Sequence, residues 1–255
     1  VQTCALPILG TGIAASPMRI ARGLLDRLEN VHNGDLVLES LHVPTPPHRV
    51  EEARAAAAVL GAEVAGKLPF AEGVQPLSED PTELLLNSTW KPTLTVTGAD
   101  GLPPVRNAGN VLLPKVALKL SLRLPPTLDA TAAAEVVKAT LERDPPYGAR
   151  VGFDISSSLG GWHAPALAPC LADALQKASM AHFGRPCLAM GTGGSIPFIG
   201  MLADKYPGTQ FLVTGVLGPK SNAHGPNEFL HLGMVRAVTA CAAEILAAHG
   251  RAKRG

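Results

Sequence analysis

Residues 116–124, Val-Ala-Leu-Lys-Leu-Ser-Leu-Arg-Leu, alternate apolar and polar side chains almost perfectly. Successive side chains of a strand point to opposite faces. One face therefore carries Leu118, Leu120, Leu122 and Leu124, and the other carries Lys119, Ser121 and Arg123. Wound as a helix, the same leucines would scatter around the circumference and bury nothing in common. The segment is a half-buried strand, so the chain must build a sheet with one face covered and one face free for polar work.

The flanks supply the covering layer. Ser16-Pro17 reads as a helix start, with Met18, Ile20, Ala21, Leu24, Leu25 and Leu28 on one face. Asn33-Gly34 turns the chain toward Leu36-Val37-Leu38. Pro44-Thr45-Pro46-Pro47 is a stiff connector to an alanine-rich helix over residues 51–67, and Asp80-Pro81 opens a short helix containing Leu84-Leu85-Leu86. Thr93-Leu94-Thr95-Val96-Thr97 alternates as a strand. Thr127 or Asp129 caps a helix through Leu141, and residues 149–153 return as a strand. Helix, strand, strand, helix, strand is most of a ferredoxin-like α+β sandwich with an insertion after its first helix. This unit is expected over residues 10–160, with the insertion over 30–90.

From residue 161 to 255 helices alternate with short apolar runs. Helices are expected over residues 165–183, 196–203 and 227–249, and strands at 187–190 and 211–213. That pattern suits a mostly parallel α/β sheet, but the unit is too short to be a complete doubly wound domain.

The extreme N-terminus invites a different reading. Val1-Gln2-Thr3-Cys4-Ala5-Leu6-Pro7-Ile8 can be written in codons that spell the end of a widely used sequencing adapter. Residues 1–9 are accordingly expected to be a cloning or assembly scar, with Gly10 the first genuine residue and an upstream part lost.

Composition excludes several classes of function. A formal net charge of +1 with only 17% charged residues leaves no electrostatic footprint for nucleic acid, and no dense basic run precedes the tail at Arg251, Lys253 and Arg254. No uninterrupted apolar run has the length of a membrane span. The four cysteines, Cys4, Cys170, Cys187 and Cys241, form no CxxC pair, which fits reduced thiols in a cytoplasmic protein.

Three places could carry chemistry. Gly191-Thr192-Gly193-Gly194-Ser195 lies between a strand and a helix, where amides freed by glycine can hold an anion; a plain tight turn is the simpler reading of the same residues. No Gly-Lys-Ser/Thr follows, so it is not a nucleotide-binding P-loop. His224, before Gly225-Pro226-Asn227-Glu228, stands at the expected start of the closing helix, where an imidazole could be aimed into a cleft as a metal ligand. The other seven histidines offer no His-x-His, His-x-Asp or His-Glu-x-x-His spacing and read as structural or exposed. Arg123 brings a guanidinium fork to the polar face of its strand, suited to a carboxylate or to an ordinary surface ion pair. Asn110 reads as a turn residue entering the same strand.

Taken in order, Ser16-Pro17-Met18-Arg19-Ile20, Asn110-Val111, Ser121-Leu122-Arg123-Leu124-Pro125, Gly193-Gly194-Ser195-Ile196-Pro197 and Ala223-His224-Gly225-Pro226-Asn227-Glu228 resemble the C-terminal half of the co-catalytic zinc exopeptidases. That family includes carnosinase-type dipeptidases, aminoacylases and succinyl-diaminopimelate desuccinylases. The carnosinase-like branch fits best, because of the long insertion between Asn30 and Trp90. The resemblance implies a ferredoxin-like lid domain that pairs with a second subunit, joined to the tail of an α/β catalytic domain. It implies His224 as the last metal ligand, Arg123 and Asn110 as lid residues that hold substrate, and Gly194 and Ser195 as the turn that holds the substrate's carboxylate end. It also implies two zinc ions, with manganese or cobalt as alternatives, acting on a peptide or N-acyl amino-acid bond beside a free carboxylate.

The departures matter equally. The family's His-x-Asp strand, bridging Asp, Glu-Glu pair and further acidic ligand have no counterpart in this sequence. The lid's His-Ser-Gly would fall near Gly10-Thr11-Gly12 and is not there. The expectation is therefore a piece of a dipeptidase-like hydrolase that is inactive alone. The alternative is a non-catalytic dimerisation or carboxylate-binding module.

Overall fold

The computed structural model describes residues 10–193 and 196–252; the expected scar at 1–9 lies outside them. Helix α1, Pro17–Leu25, begins where Ser16 accepts the Arg19 N–H at 3.2 Å and Pro17 fills the first turn. Its apolar face buries Ile20, Ala21 and Leu24, and Leu28 just beyond it is fully buried. Strands β1, Thr93–Asp100, and β2, Ala117–Arg123, pair antiparallel, with Thr93 opposite Arg123 and Asp100 opposite Ala117. A register shift between Val96 and Gly98 marks a bulge. Along β2 burial alternates residue by residue: Leu118, Leu120 and Leu122 are half-buried, while Lys119, Ser121 and Arg123 are exposed.

Helix α5, Ala130–Glu142, lies with α1 against the apolar side of this pair. Its cap is Asp129, whose carboxylate accepts the amides of Thr131 at 2.8 Å and Ala132 at 3.1 Å, which decides between the two capping residues the sequence offered. Ile20, Leu24, Leu28, Leu36 and Leu41 meet Ala133, Val137 and Leu141 in one core, with Leu94, Leu120 and Leu122 packed against it. Each buried aliphatic side chain contributes about 1.5–3 kcal/mol. Arg27 closes the layer by donating to the carbonyls of Thr140 at 3.1 Å and Asp144 at 2.7 Å, where α5 has run out of intrahelical partners.

The insertion folds onto itself. The helix expected over 51–67 instead begins at Pro47 and breaks at Gly61, where φ is +51°, giving α2, Pro47–Leu60, and α3, Glu63–Gly66. Glycine takes that conformation without the strain a side chain would add. Small residues Ala53, Ala56 and Ala57 of α2 pack with Val64 and with Leu85 of α4, Pro81–Thr89. Asp80 caps α4 through the Thr82 amide at 2.8 Å.

In the C-terminal part, α6, Pro169–Phe183, α7, Pro197–Lys205, and α8, Leu232–Ala252, form where helices were expected, although α6 starts four residues late and α8 five. Ala178 of α6 and Ile245 of α8 are buried, the Cys241 thiol donates to the Ala178 carbonyl at 3.4 Å, and His182 meets Glu244 at 2.8 Å. Residues 187–190 and 211–213, expected as strands, join no ladder among the described residues, and 149–153 contributes a β-bridge at Arg150 rather than a full strand. A strand needs the backbone groups of a neighbour, which periodicity cannot supply. Ala149, Val151 and Phe153 nevertheless turn alternately into the core beside Leu141. The architecture is a mixed α/β fold.

One helix corrects the reading of hydropathy. Leu232–Arg251 is long and apolar enough, by length and a mean hydropathy of 1.3, to cross a membrane. The segment has no uninterrupted apolar run, but its average is high despite Arg236 and Glu244 inside the helix. It packs against α6, and its Glu244 meets His182.

Candidate functional site

A cleft of about 1320 Å3 runs between the sheet, the insertion and the C-terminal helices. Arg123 reaches it from the last position of β2, on the polar face that the alternation reserves. The Gly191-Thr192-Gly193 loop lines the same cleft. These two glycines allow a close approach. A side chain at Gly193 would place its first carbon 2.5 Å from the Ser88 carbonyl oxygen and 3.6 Å from Arg123 Nη1, and one at Gly191 would stand 3.0 Å from the Thr89 methyl. The loop is thus pressed against the C-terminal end of α4, with the Arg123 guanidinium beside it. Seventy residues of sequence separate two groups that share one wall.

The remaining sequence-derived residues fall differently. Gly194 and Ser195 lie outside the described residues. Asn110 is exposed in the connection between β1 and β2. His224 is exposed and takes a left-handed φ of +61°, with its backbone N–H donating to Glu228 Oε2 at 3.1 Å. It sits eight residues ahead of α8, in a loop tied by Asn222 and Pro226, and so not at the helix start the sequence suggested. Neither Asn110 nor His224 is among the described residues that line the cleft. No group of three or more His, Cys, Asp or Glu side chains among the described residues is placed to hold a metal ion.

A cluster that the sequence reading passed over occupies the cleft instead. Trp90 and His163 meet edge to face at 5.3 Å, and His163 meets His48 at 5.9 Å. Arg49 binds Glu52 at 2.7 Å and donates to the Ala164 carbonyl at 2.6 Å, fastening α2 to the 161–165 segment. That segment passes over Pro126 only because residue 161 is glycine; a first side-chain carbon there would lie 2.5 Å from the Pro126 Cα. Burial pushes the His163 pKa below the ordinary imidazole value, the charges of Arg49 and His48 add to the shift, and Glu52 opposes it. Burial also raises the thiol pKa values of Cys187 and Cys241, which keeps both protonated at neutral pH. The one sequence signal for this cluster was Gly160-Gly161-Trp162-His163, where glycine pairs ahead of aromatic residues mark a close crossing.

Comparison with known proteins bears on this geometry. The chain is 29% identical over 194 residues to a cysteinylglycine-S-conjugate dipeptidase of Corynebacterium striatum, matching 71% of this chain and 39% of that protein. Among solved structures it superposes on the dipeptidase Dug1p of Saccharomyces cerevisiae with a TM-score of 0.73 and 17% identity, covering 98% of this chain and 53% of that one. The chain shares the fold of that dipeptidase over the length they have in common. The same fold recurs in the M20 family metallo-carboxypeptidase Sso-CP2 of Sulfolobus solfataricus, with a TM-score of 0.68 at 13% identity over 96% of this chain and 56% of that one. Human carnosine dipeptidase 1 aligns with a TM-score of 0.60 at 19% identity over 79% of this chain and 44% of its own. No family model matches the chain. The chain spans about two fifths of its curated relative and about half of each solved one.

Proposed function

We propose that this chain is the lid and C-terminal part of a metal-dependent, dipeptidase-like M20 exopeptidase, and that its own task is to grip the free carboxylate of a peptide or N-acyl amino acid. The observation that carries the reading is the meeting of Arg123 Nη1 with the glycine loop at the end of α4, inside a large cleft. A guanidinium offers two parallel N–H groups to a carboxylate, and the loop beside it adds backbone donors. Gly194 and Ser195 belong to the same proposed grip.

The chain's residues do not by themselves fit a pair of zinc, manganese or cobalt ions. The described donors supply no triad, and His224 is the single imidazole assigned to the metal. The metal centre and its general base would be completed by residues outside this chain. Large exposed apolar side chains support that reading, among them Phe198, Val213, Leu232 and Leu246, the last 71% exposed. Faces of this kind suit packing against further chain. Pairing of two copies through the lid domain, residues 10–160, and a cytoplasmic setting for the free thiols Cys170, Cys187 and Cys241, complete the proposal.

The test is binding by the isolated chain, followed by tryptophan fluorescence, since Trp90 and Trp162 both line the cleft. N-acetylglycine should bind, its amide counterpart should not, and Arg123→Ala should weaken binding about tenfold or more, as expected for loss of a charge-assisted pair. Zinc should produce no dipeptide hydrolysis. Binding that ignores the carboxylate or survives Arg123→Ala would overturn the grip. Metal-dependent hydrolysis by this chain alone would overturn the division of labour.

A further inference from the structure

Arg123 and the glycine loop fix one end of a ligand, and the structure also shows what the ligand's side chain would meet. Gly193 touches the Ser88 carbonyl, and Trp90 lies two residues further along, within roughly 7 Å of chain. Trp90 leads edge to face into His163, and His163 into His48. A residue whose carboxylate rests on Arg123 therefore has this wall within reach of its own side chain. The wall is apolar in the main: an indole, two imidazoles and the flanking Leu86, all lining the same cleft.

The charges nearby are already committed. The carboxylate of Glu52 is held by Arg49 at 2.7 Å, and Lys91 by Glu83 at 3.3 Å. The guanidinium of Arg49 lies beside this wall, bonded at 2.6 Å to the carbonyl of Ala164 next to His163, and its charge repels a cationic side chain. Uncharged side chains meet no such obstacle. We propose that Trp90, His163 and His48 form the side-chain subsite for the carboxylate-bearing residue, and that it accepts apolar or aromatic side chains and rejects cationic ones. The assignment rests on the Arg123 grip proposed above and adds to it the class of substrate. His163 stays neutral near neutral pH because burial and Arg49 disfavour its charge, which keeps the wall apolar.

Four ligands sharing one carboxylate decide the matter: N-acetylglycine, N-acetyl-leucine, N-acetyl-phenylalanine and N-acetyl-lysine, titrated into the full chain. The leucine and phenylalanine compounds should bind about tenfold tighter than N-acetylglycine, as partial burial of such a side chain provides. N-acetyl-lysine should bind no better than N-acetylglycine. His48→Ala, at an exposed position that leaves the fold intact, should narrow the leucine advantage, and His163→Ser should nearly remove it. Arg49→Gln should release Glu52 and draw the lysine compound level with leucine, a change of preference that a merely structural role of Arg49 would not produce. Carboxylate-dependent binding with no discrimination between glycine and leucine would overturn the subsite and leave the grip standing. Absence of any carboxylate-dependent binding would overturn both.

Discussion

The close approach of the glycine loop to α4 makes a graded prediction. A methyl at residue 193 would stand 2.5 Å from a backbone carbonyl oxygen, about 1 Å short of ordinary contact. That oxygen belongs to the helix backbone and cannot rotate aside, so the loop must lift. At residue 191 the obstacle is the methyl of Thr89 at 3.0 Å, the end of a side chain whose hydroxyl is bonded to the Leu85 carbonyl at 2.7 Å. Gly193→Ala should therefore cost about 1–3 kcal/mol, the usual range for forced overpacking, and Gly191→Ala about 1 kcal/mol. Thr89→Ser keeps the hydroxyl and deletes the methyl. Combined with Gly191→Ala it should restore most of the loss, whereas combined with Gly193→Ala it should restore none. Urea denaturation read by tryptophan fluorescence gives the six free energies of the parent, three single and two double variants, and the coupling in each double-mutant cycle isolates the contact. Equal rescue of both alanines, or a Gly193→Ala protein within 0.5 kcal/mol of the parent, would show that the loop does not rest on α4 and that Arg123 and the loop are not held together.

Asp129→Ala removes the two amide bonds at the start of α5 and should cost about 1 kcal/mol, while Asp129→Ser should cost less; thermal melting distinguishes them. His163 makes stability depend on pH in a defined sense. Its folded pKa lies below the ordinary 6.5, so on acidification the unfolded chain takes up a proton before the folded one does. The contribution is complete above that value, is lost as pH falls through it, and levels off once the folded pKa is passed. His163→Phe, which keeps an aromatic edge for Trp90, should flatten that part of the curve of unfolding free energy against pH. An unchanged slope in the variant would refute the assignment.

Local order was legible because local signals carried it. Ser16-Pro17, Asp80-Pro81 and Asp129 start helices by satisfying amides within three residues, and the alternation of β2 fixes which face is buried. Arg123 was legible as a residue with something to hold, since only one face of its strand could be polar. The glycine loop was read as a source of free amides, while the structure adds the reason for Gly191 and Gly193: the tight fit against Ser88 and Thr89. His224 was misplaced at a helix start because Pro226 and Asn227 look like capping residues; Lys220, Asn222, His224 and Asn227 instead take left-handed conformations that extend the loop. The His48–His163–Trp90 cluster was missed because no motif joins residues 48, 90 and 163.

The sequence by itself determined the periodic faces, the caps and the polar side of the sheet, since each depends on residues within a turn or a strand of one another. Which faces meet was decided only in three dimensions. Arg123 comes to the glycine loop, and α2 to the 161–165 segment, through backbone crossings at Gly161 and Gly193 where no side chain fits. Contacts of that kind bring together groups that are distant in the chain, and they leave no period behind in it.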